Sequence, residues 1–411
     1  MASRTIPLST IAPFVAGFTL VLAMWGGPVA GSGLPPEAAS TPPPATNAEE
    51  RIWLQAEING KPVKMALDTG AEATVLFRET ATRLGLHVTN PPPDAALGAG
   101  QVPISRTEIC DFKVLGTTLE TQLGVVDLPP GMRTQIEGVV GWPNLGGTVF
   151  EFNAASTELS GPRTVPDKVR DWLKFGLVTN ARALILEIPG LKTNLGSLLI
   201  DTGNQDGLGL APRLWREWTN SHPQRARTLI AYAGLATGVI VREEAWADAI
   251  SVGPLVLKQF PVHETDPHEF LGVEGGENVT ASLGLAAIKR LDLVIDRSNG
   301  VAYVHPATIP PLPYRHNRIG AVFTPADLLR GQDLIAHVLP GTPAYEAGAR
   351  EGDILQAIDN LDVTQWRTNP AVMPMGRFFE QPAGTKIILK LKRGTEAIQV
   401  MVTLRDILGP K

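Results

Sequence analysis

The sequence is poor in cysteine, and this excludes several kinds of structure. Cys110 is the one cysteine among 411 residues, so neither an intrachain disulfide nor a metal site built from cysteines can form. Charge of one sign is not in excess either, because 36 basic and 41 acidic side chains leave a formal net charge of −5. Domains that bind nucleic acids usually carry a basic surface, so the composition predicts no nucleic-acid partner.

Several common catalytic signatures are also missing. The chain has no Gly-x-Ser-x-Gly elbow, no phosphate-binding P-loop and no dinucleotide fingerprint. His263 and His268 stand one position too far apart for the helical zinc motif, and Pro267 would break such a helix. We therefore predict no metal site and no organic cofactor.

Proline and glycine are abundant, with 35 and 41 residues, and long helical patterns are few. At this length the chain is expected to form two or three mainly β units. The uncharged apolar segment 11–30 ends in small residues, which predicts an export signal within 1–31 or, if it is not cleaved, a membrane anchor. The proline-rich stretches 32–49 and 306–317 are predicted to be linkers.

One motif occurs twice and organises the middle of the chain. Asp68-Thr69-Gly70 and Asp201-Thr202-Gly203 each follow an apolar run, 65–67 and 198–200. Asp-Thr-Gly alone is ordinary turn chemistry. Two copies, however, are expected by chance only about 0.005 times in a chain of this length at average residue usage. The pattern therefore predicts two buried strands that each deliver a carboxylate at their end.

The surroundings of the two motifs match as well. Each motif ends a predicted hairpin, is followed by a short predicted helix, and then by a glycine-bearing turn. The hairpins are 52–58 with 63–67 and 184–188 with 197–200, the helices are 77–85 and 212–219, and the turns are 97–101 and 231–235. The two aspartates lie 133 positions apart (201 − 68), so the chain is expected to contain a long internal repeat.

Both motifs are followed downstream by an apolar-apolar-Gly element, Val139-Val140-Gly141 and Ser282-Leu283-Gly284, whose first residue departs in the second copy. Over about residues 50–305 this combination resembles the aspartic proteases of the pepsin and retropepsin type. The resemblance implies two pseudo-symmetric β-barrel lobes, 50–165 and 166–305, with an active site at their seam. It also implies roles for particular residues: Asp68 and Asp201 as the catalytic pair, Thr69, Gly70, Thr202 and Gly203 as its support, and Gly98, Ala99 and Gly100 as a candidate flap.

Two neighbouring carboxyl groups have a chemical use that does not depend on any family. Peptide hydrolysis needs a base to take a proton from water and an acid to protonate the carbonyl oxygen. Two carboxyls in close contact cannot both ionise, so they share one proton and supply both roles.

The residue after each motif is expected to tune this pair. Ala71 cannot donate a side-chain hydrogen bond, which should leave the Asp68 anion less stabilised and move the working range towards neutral pH. Asn204 departs from the small residue usual in the family, although its amide can donate. It leaves open a second hypothesis, in which the second lobe is degenerate and the protein binds peptides without cutting them.

The last part of the chain, 318–408, resembles a PDZ domain of the kind found in exported bacterial proteases. The resemblance lies in Gly341-Thr342-Pro343-Ala344 and Gly352-Asp353-Ile354-Leu355. It implies a small α+β barrel whose loop binds a peptide C-terminus. That loop would contain Ile319, Gly320, Ala321, Val322 and Phe323, of which Ala321 and Val322 depart from the usual form. A domain that only packs on the protease remains the alternative.

Together these patterns predict an exported, single-chain aspartic endopeptidase with a C-terminal PDZ domain. We expect it in the periplasm or outside the cell, acting on proteins or peptides as a monomer. Its N-terminal segment would tether it to the membrane if it is not cleaved.

Overall fold

The computed structural model describes residues 21–22, 51–90, 96–97, 102–128, 136–154, 159–188, 196–234, 238–265, 278–308, 313–327, 330–369, 371–373 and 375–408. The predicted signal segment apart from 21–22, the linker 32–49 and the flap residues Gly98, Ala99 and Gly100 lie outside these ranges. Within the described ranges, no helix has the length and apolar character needed to cross a membrane.

The fold is mainly β, as the sequence predicts, with five short α-helices and two 3-10 helices, Trp142–Asn144 and Asp167–Asp171, in the described part of the chain. The first twelve strands are β1 Val21–Leu22, β2 Trp53–Ile58, β3 Lys61–Asp68, β4 Val75–Phe77, β5 Val88–Thr89, β6 Ala96–Leu97, β7 Val102–Pro103, β8 Ser105–Thr107, β9 Cys110–Val114, β10 Thr117–Thr121, β11 Gly124–Val126 and β12 Gly138–Gly141. Nine of them form one sheet in the order β10-β9-β2-β3-β12-β4-β11-β8-β5, and β6 pairs with β7.

The second sheet takes its strands from the middle of the chain. They are β13 Val149–Phe152, β14 Leu159–Ser160, β15 Leu173–Leu177, β16 Ile185–Glu187, β17 Ser197–Ile200, β18 Leu208–Leu210, β19 Arg227–Gly234, β20 Gly238–Val252, β21 Leu255–Glu264, β22 Val279–Leu283, β23 Leu291–Asp296 and β24 Val301–Pro306. With β1 they form thirteen strands in the order β1-β19-β20-β21-β18-β22-β17-β16-β15-β24-β23-β13-β14.

The third sheet is formed by the C-terminal part of the chain. Its strands are β25 Ala321–Pro325, β26 Leu334–Val338, β27 Ile354–Ile358, β28 Leu361–Asp362, β29 Lys386–Arg393 and β30 Glu396–Thr403, and the order is β25-β26-β27-β29-β30 with β28 on β27. The helices are α1 Arg78–Leu84, α2 Pro212–Ser221, α3 Leu285–Ile288, α4 Pro343–Glu346 and α5 Gly376–Phe379. Each strand order is open at both ends, so the described residues form no closed barrel.

The predicted hairpins before the two aspartates are present. β2 and β3 pair antiparallel across Asn59 and Gly60, whose φ angles of 49° and 75° fit a tight hairpin turn. β16 and β17 pair antiparallel in the second half. The predicted helix after the first motif is α1, and Gly85 ends it in the left-handed conformation.

Each strand that ends in aspartate has a parallel neighbour from the apolar-apolar-Gly element. β12 lies beside β3 with Gly141 opposite Asp68, and β22 lies beside β17 with Leu283 opposite Ile200. A Cβ on Gly141 would lie 2.4 Å from the carbonyl oxygen of Ala73. Glycine is therefore required at this position by the close approach of the next loop.

One predicted turn is placed differently. Residues 231–234 of the stretch 231–235, which the sequence predicts to turn, continue β19 as regular strand, and residue 235 lies outside the described residues. β19 and the fifteen-residue β20 form a long antiparallel hairpin. Ala231 and Ala233 alternate with the larger residues Ile230 and Tyr232. This alternation favours a strand, and it outweighs the turn signal of Gly234.

Two large hydrophobic cores, with three smaller clusters beside them, are present in the described residues. One continuous core extends from Ile52 to Val304 and includes side chains of both motif-bearing halves. The other extends from Ile319 to Leu404 and belongs to the third sheet. We call residues 313–408 the C-terminal domain.

Candidate active site

The ends of β3 and β17 place Asp68 and Asp201 together at the junction of the two halves. Their exposed fractions are 0% and 2%. A Cβ on Gly70 would lie 2.8 Å from Cγ of Asp201, and a Cβ on Gly203 would lie 2.4 Å from Cγ of Asp68. Each motif glycine thus packs against the aspartate of the other half, and a larger residue there would push the carboxyls apart.

The two threonines join the loops through a reciprocal set of hydrogen bonds. The backbone N–H of Thr69 donates to Oγ1 of Thr202 at 3.0 Å, and the N–H of Thr202 donates to Oγ1 of Thr69 at 3.1 Å. Each hydroxyl then donates across the junction, that of Thr202 to the carbonyl of Leu67 at 2.9 Å and that of Thr69 to the carbonyl of Ile200. Because all these atoms are buried, the bonds fix the relative position of the two aspartates.

The backbone supplies hydrogen bonds to both carboxyl groups, but not equally. Oδ1 of Asp68 accepts the N–H of Gly70 at 3.0 Å, whereas Oδ1 of Asp201 accepts the N–H groups of Gly203 at 2.9 Å and Asn204 at 3.2 Å. Oδ2 of Asp68 is buried and accepts no N–H or hydroxyl of the described residues, which leaves the contact with the Asp201 carboxyl as its hydrogen bond.

Burial raises the pKa of both aspartates. The pKa of Asp68 rises to about 6, although the contact with Asp201 and the N–H bonds oppose the effect of burial. The pKa of Asp201 is raised well above the ordinary value by burial, and the Asp68 charge adds to that effect. The two carboxyl groups therefore share one proton over a range near neutrality.

The residue after each motif acts through its backbone. The side-chain oxygen of Asn204 accepts the N–H of Asp206 at 2.8 Å, so the amide does not donate to Asp201, whereas the backbone N–H of Asn204 does. Ala71 is buried and offers no side-chain donor, and its N–H donates to the backbone carbonyl of Asp68 at 3.2 Å. Asn204 is thus accommodated in a local turn and leaves the Asp201 carboxyl in place.

Sequence reasoning missed Arg51, which lies two residues before β2. Its side chain is buried, burial lowers the pKa of its guanidinium to about 10, and the nearby charge of Asp68 opposes that shift. The positive charge in turn favours the ionised form of Asp68. A lone arginine before an apolar strand gives no signal in the sequence, because only the fold brings it near the motif.

The residues predicted to bind a peptide C-terminus lie together in the C-terminal domain, and all five are buried: Ile319, Gly320, Ala321, Val322 and Phe323. The described residues contain no group of three or more His, Cys, Asp or Glu side chains arranged to hold a metal ion.

Comparison with known families locates the first motif in a known domain. Residues 54–143 match the aspartyl protease family. This segment contains β3, Asp68 and the parallel strand β12. No curated protein matches the chain.

Several solved structures are similar to parts of the chain. The EIAV protease in complex with an inhibitor is 26% identical over 23% of this chain and 85% of that chain, with a TM-score of 0.19. The retroviral protease-like domain of Ddi1 from Leishmania major is 21% identical over 22% and 72%, with a TM-score of 0.18. The aspartic proteinase from Irpex lacteus is 12% identical over 63% and 95%, with a TM-score of 0.35.

Proposed function

We propose that the chain is an aspartic endopeptidase in which Asp68 and Asp201 act as a pair on a bound water. The observation that carries this proposal is the contact between two buried carboxyl groups, one from each half, whose pKa values are both raised. Burial of two carboxyl groups in contact costs folding free energy, and a shared proton both reduces that cost and supplies the acid and the base of the reaction. The family match of residues 54–143 supports the same reaction class.

We take Asp68 as the base, because the buried guanidinium of Arg51 favours its ionised form. Asp68 is the anion and takes a proton from water, while the water oxygen attacks the peptide carbonyl carbon. Asp201 holds the shared proton and gives it to the carbonyl oxygen, which forms a neutral tetrahedral diol. The proton on Asp68 then passes to the amide nitrogen, the C–N bond breaks, and one diol proton returns to Asp201. Atoms and charge balance, and the pair ends the cycle with one proton.

The organisation around the pair completes the proposal. We take 50–165 and 166–305 as the two lobes of the protease, with 318–408 as a PDZ-like domain that follows the linker 306–317. Proteins or peptides would be the substrates, and one chain would suffice because it supplies both aspartates. The uncharged apolar segment 11–30 supports export of the protein from the cytoplasm, with its N-terminal segment either cleaved or retained as a tether.

Cleavage of a peptide library by the full chain tests the proposal. Asp68→Asn and Asp201→Asn should each reduce the rate at least about a thousandfold, since neither half can then exchange the shared proton. Asp167→Asn is the matched control, because Asp167 is fully exposed in a 3-10 turn away from the pair. If the wild type binds peptides but never cuts them, the protein is a peptide-binding module and the enzyme proposal is wrong.

A further inference from the structure

The C-terminal domain is joined to the second sheet by a reciprocal pair of hydrogen bonds. The hydroxyl of Thr228, in β19, donates to the carbonyl of Asn317 at 2.7 Å. The side-chain Nδ2 of Asn317 donates back to the carbonyl of Leu229 at 3.0 Å. Thr228 and Asn317 are 0% and 5% exposed, so these bonds lie inside the interface, where breaking one leaves a buried polar group unpaired.

The same asparagine fills the loop that was expected to take a peptide C-terminus. Oδ1 of Asn317 accepts the N–H of Ile319 at 3.0 Å and the N–H of Gly320 at 3.2 Å. Its Nδ2 also donates to the carbonyl of Ala321 at 2.8 Å. Two adjacent backbone N–H groups are what a terminal carboxylate needs, and here the side-chain amide oxygen already occupies both.

β25, the strand that follows this loop, is also packed against other parts of the chain. β25 lies next to β19 and β20 of the second sheet. On the side of α5, the rings of Phe323 and Phe379 pack with centroids 5.8 Å apart, and the N–H of Arg318 donates to the carbonyl of Phe379 at 2.9 Å. An added peptide strand would therefore have to displace contacts that the chain makes with itself.

The hairpin held by this interface leads back to the second aspartate. Glu244, in β20, is fully buried and accepts the hydroxyl of Tyr314 at 2.7 Å. Burial raises the pKa of Glu244, and the charges of Asp206 and Glu380 add to the shift, so side chains from the loop after Asp201 and from the C-terminal domain both act on it. The β19–β20 hairpin therefore contacts the domain through Tyr314 and lies near the loop after Asp201, with β21 between β20 and β18, the strand that follows this loop.

We propose that the C-terminal domain is an internal clamp on the β19–β20 hairpin, with Asn317 as the positioning residue that holds the hairpin and occupies the Ile319–Gly320 loop. While the clamp is closed, a peptide C-terminus does not enter this loop. The significance of the clamp for catalysis rests on the proposed function, because the hairpin lies near the loop that follows Asp201. The contact itself does not depend on that function.

Hydrogen exchange of the full chain tests the clamp without any substrate. Thr228→Val removes the hydroxyl donor at nearly constant volume, and the amides of β19 and β20 should then exchange about fivefold to tenfold faster. Thr228→Ser keeps a hydroxyl and should restore slow exchange. Thr364→Val is the matched control, since Thr364 donates to Asp362 in an exposed turn of the same domain, and it should leave the hairpin unchanged.

A second variant separates the clamp from simple loss of packing. Asn317→Asp keeps an oxygen for Ile319 and Gly320 but removes the donor to Leu229, so the same hairpin-specific increase is expected. The wild type should also bind a library of short peptides equally in free-acid and amidated forms. Hairpin exchange that is the same in Thr228→Val as in the wild type, or a clear preference of the wild type for free-acid peptides, would overturn the proposal. Neither result depends on whether the protein cuts peptides.

Discussion

Asp68 and Asp201 are the same amino acid in two different settings. Asp201 accepts two backbone N–H groups and Asp68 one, and Asp68 also lies near the buried guanidinium of Arg51. The charge of Arg51 favours the ionised form of Asp68. This difference is the basis of the proposed role of Asp68 as the first base.

The proposed activity should fall at both low and high pH, because the pair works only while it holds one proton. At low pH both carboxyls are protonated and no base remains, and at high pH both are ionised and no acid remains. Since the pKa of each group is raised, the acid limb of kcat/KM should lie above the ordinary aspartate value and activity should extend towards neutral pH. Ala71→Ser adds a donor beside Asp68 and should move the acid limb down by about one pH unit.

Rate profiles of the wild type, Ala71→Ser and Ala71→Gly measure this effect. Glycine adds no donor and serves as the control for the change at position 71. An acid limb of the wild type at or below the ordinary aspartate value would contradict the prediction.

The raised pKa values also predict that Asp201 lowers the stability of the fold, although the proposed reaction requires it. Folding favours the protonated form of Asp201, so the folded state binds more protons than the unfolded state, and stability falls as pH rises from the unfolded pKa to the folded one. Asp201→Asn removes this cost and keeps an Oδ1 acceptor for Gly203 and Asn204. It should be inactive yet more stable than the wild type, by on the order of 1–3 kcal/mol near neutral pH.

Urea unfolding at neutral pH and below about pH 4 checks the sign. The stability difference between the two proteins should vanish in acid, where Asp201 is protonated in both states. A variant that is less stable at neutral pH would show that the aspartate is not under electrostatic strain.

At the scale of elements, the loops that contain Asp68 and Asp201 are held together by side-chain hydrogen bonds rather than by strand pairing. Thr202→Val removes the donor to Leu67 and the acceptor for Thr69, which should cost about 1–3 kcal/mol of stability and lower kcat more than it changes KM. Thr202→Ser should retain both properties. In the double variant Thr69→Val with Thr202→Val the losses should be less than additive, because the two hydroxyls serve one network.

The elements that the sequence predicts well are those with local signals. Asn59-Gly60 specifies a hairpin turn and Gly85 specifies a helix end, and both occur where expected. β20 was missed because its alternation is interrupted by Arg242, Glu243 and Glu244, of which Glu244 is fully buried. Its burial depends on Tyr314, seventy positions away, and no local pattern contains that information.

The same distinction applies to the candidate site. Two Asp-Thr-Gly motifs predict which carboxyls belong together, because the motif and the repeat are visible in the chain. Arg51 and Asn317 act through distant partners, Asp68 and Leu229. The predicted peptide loop at Ile319 is also a local pattern, but the residue that fills it precedes the pattern and would not be recognised from it.

For the whole molecule, the two large hydrophobic cores predict two unfolding transitions. Asp353 is 1% exposed at its side chain and accepts two bonds from Arg393, at 2.8 and 2.9 Å. Asp353→Asn should weaken only the C-terminal domain, by about 1–3 kcal/mol, while the core of residues 52–304 keeps its transition. Calorimetry of this variant beside Asp333→Asn, an exposed change in the same domain, tests the division. A single transition shifted as a whole would mean that the cores unfold together.

Both carboxyls are encoded in one polypeptide and meet within one continuous core. An enzyme that gathers its two aspartates from separate subunits loses them on dilution, when the subunits dissociate. Here no association step precedes the assembly of the pair. Specific activity should therefore be independent of protein concentration down to the most dilute sample that can be assayed, and a protein released into a large volume would keep its full turnover.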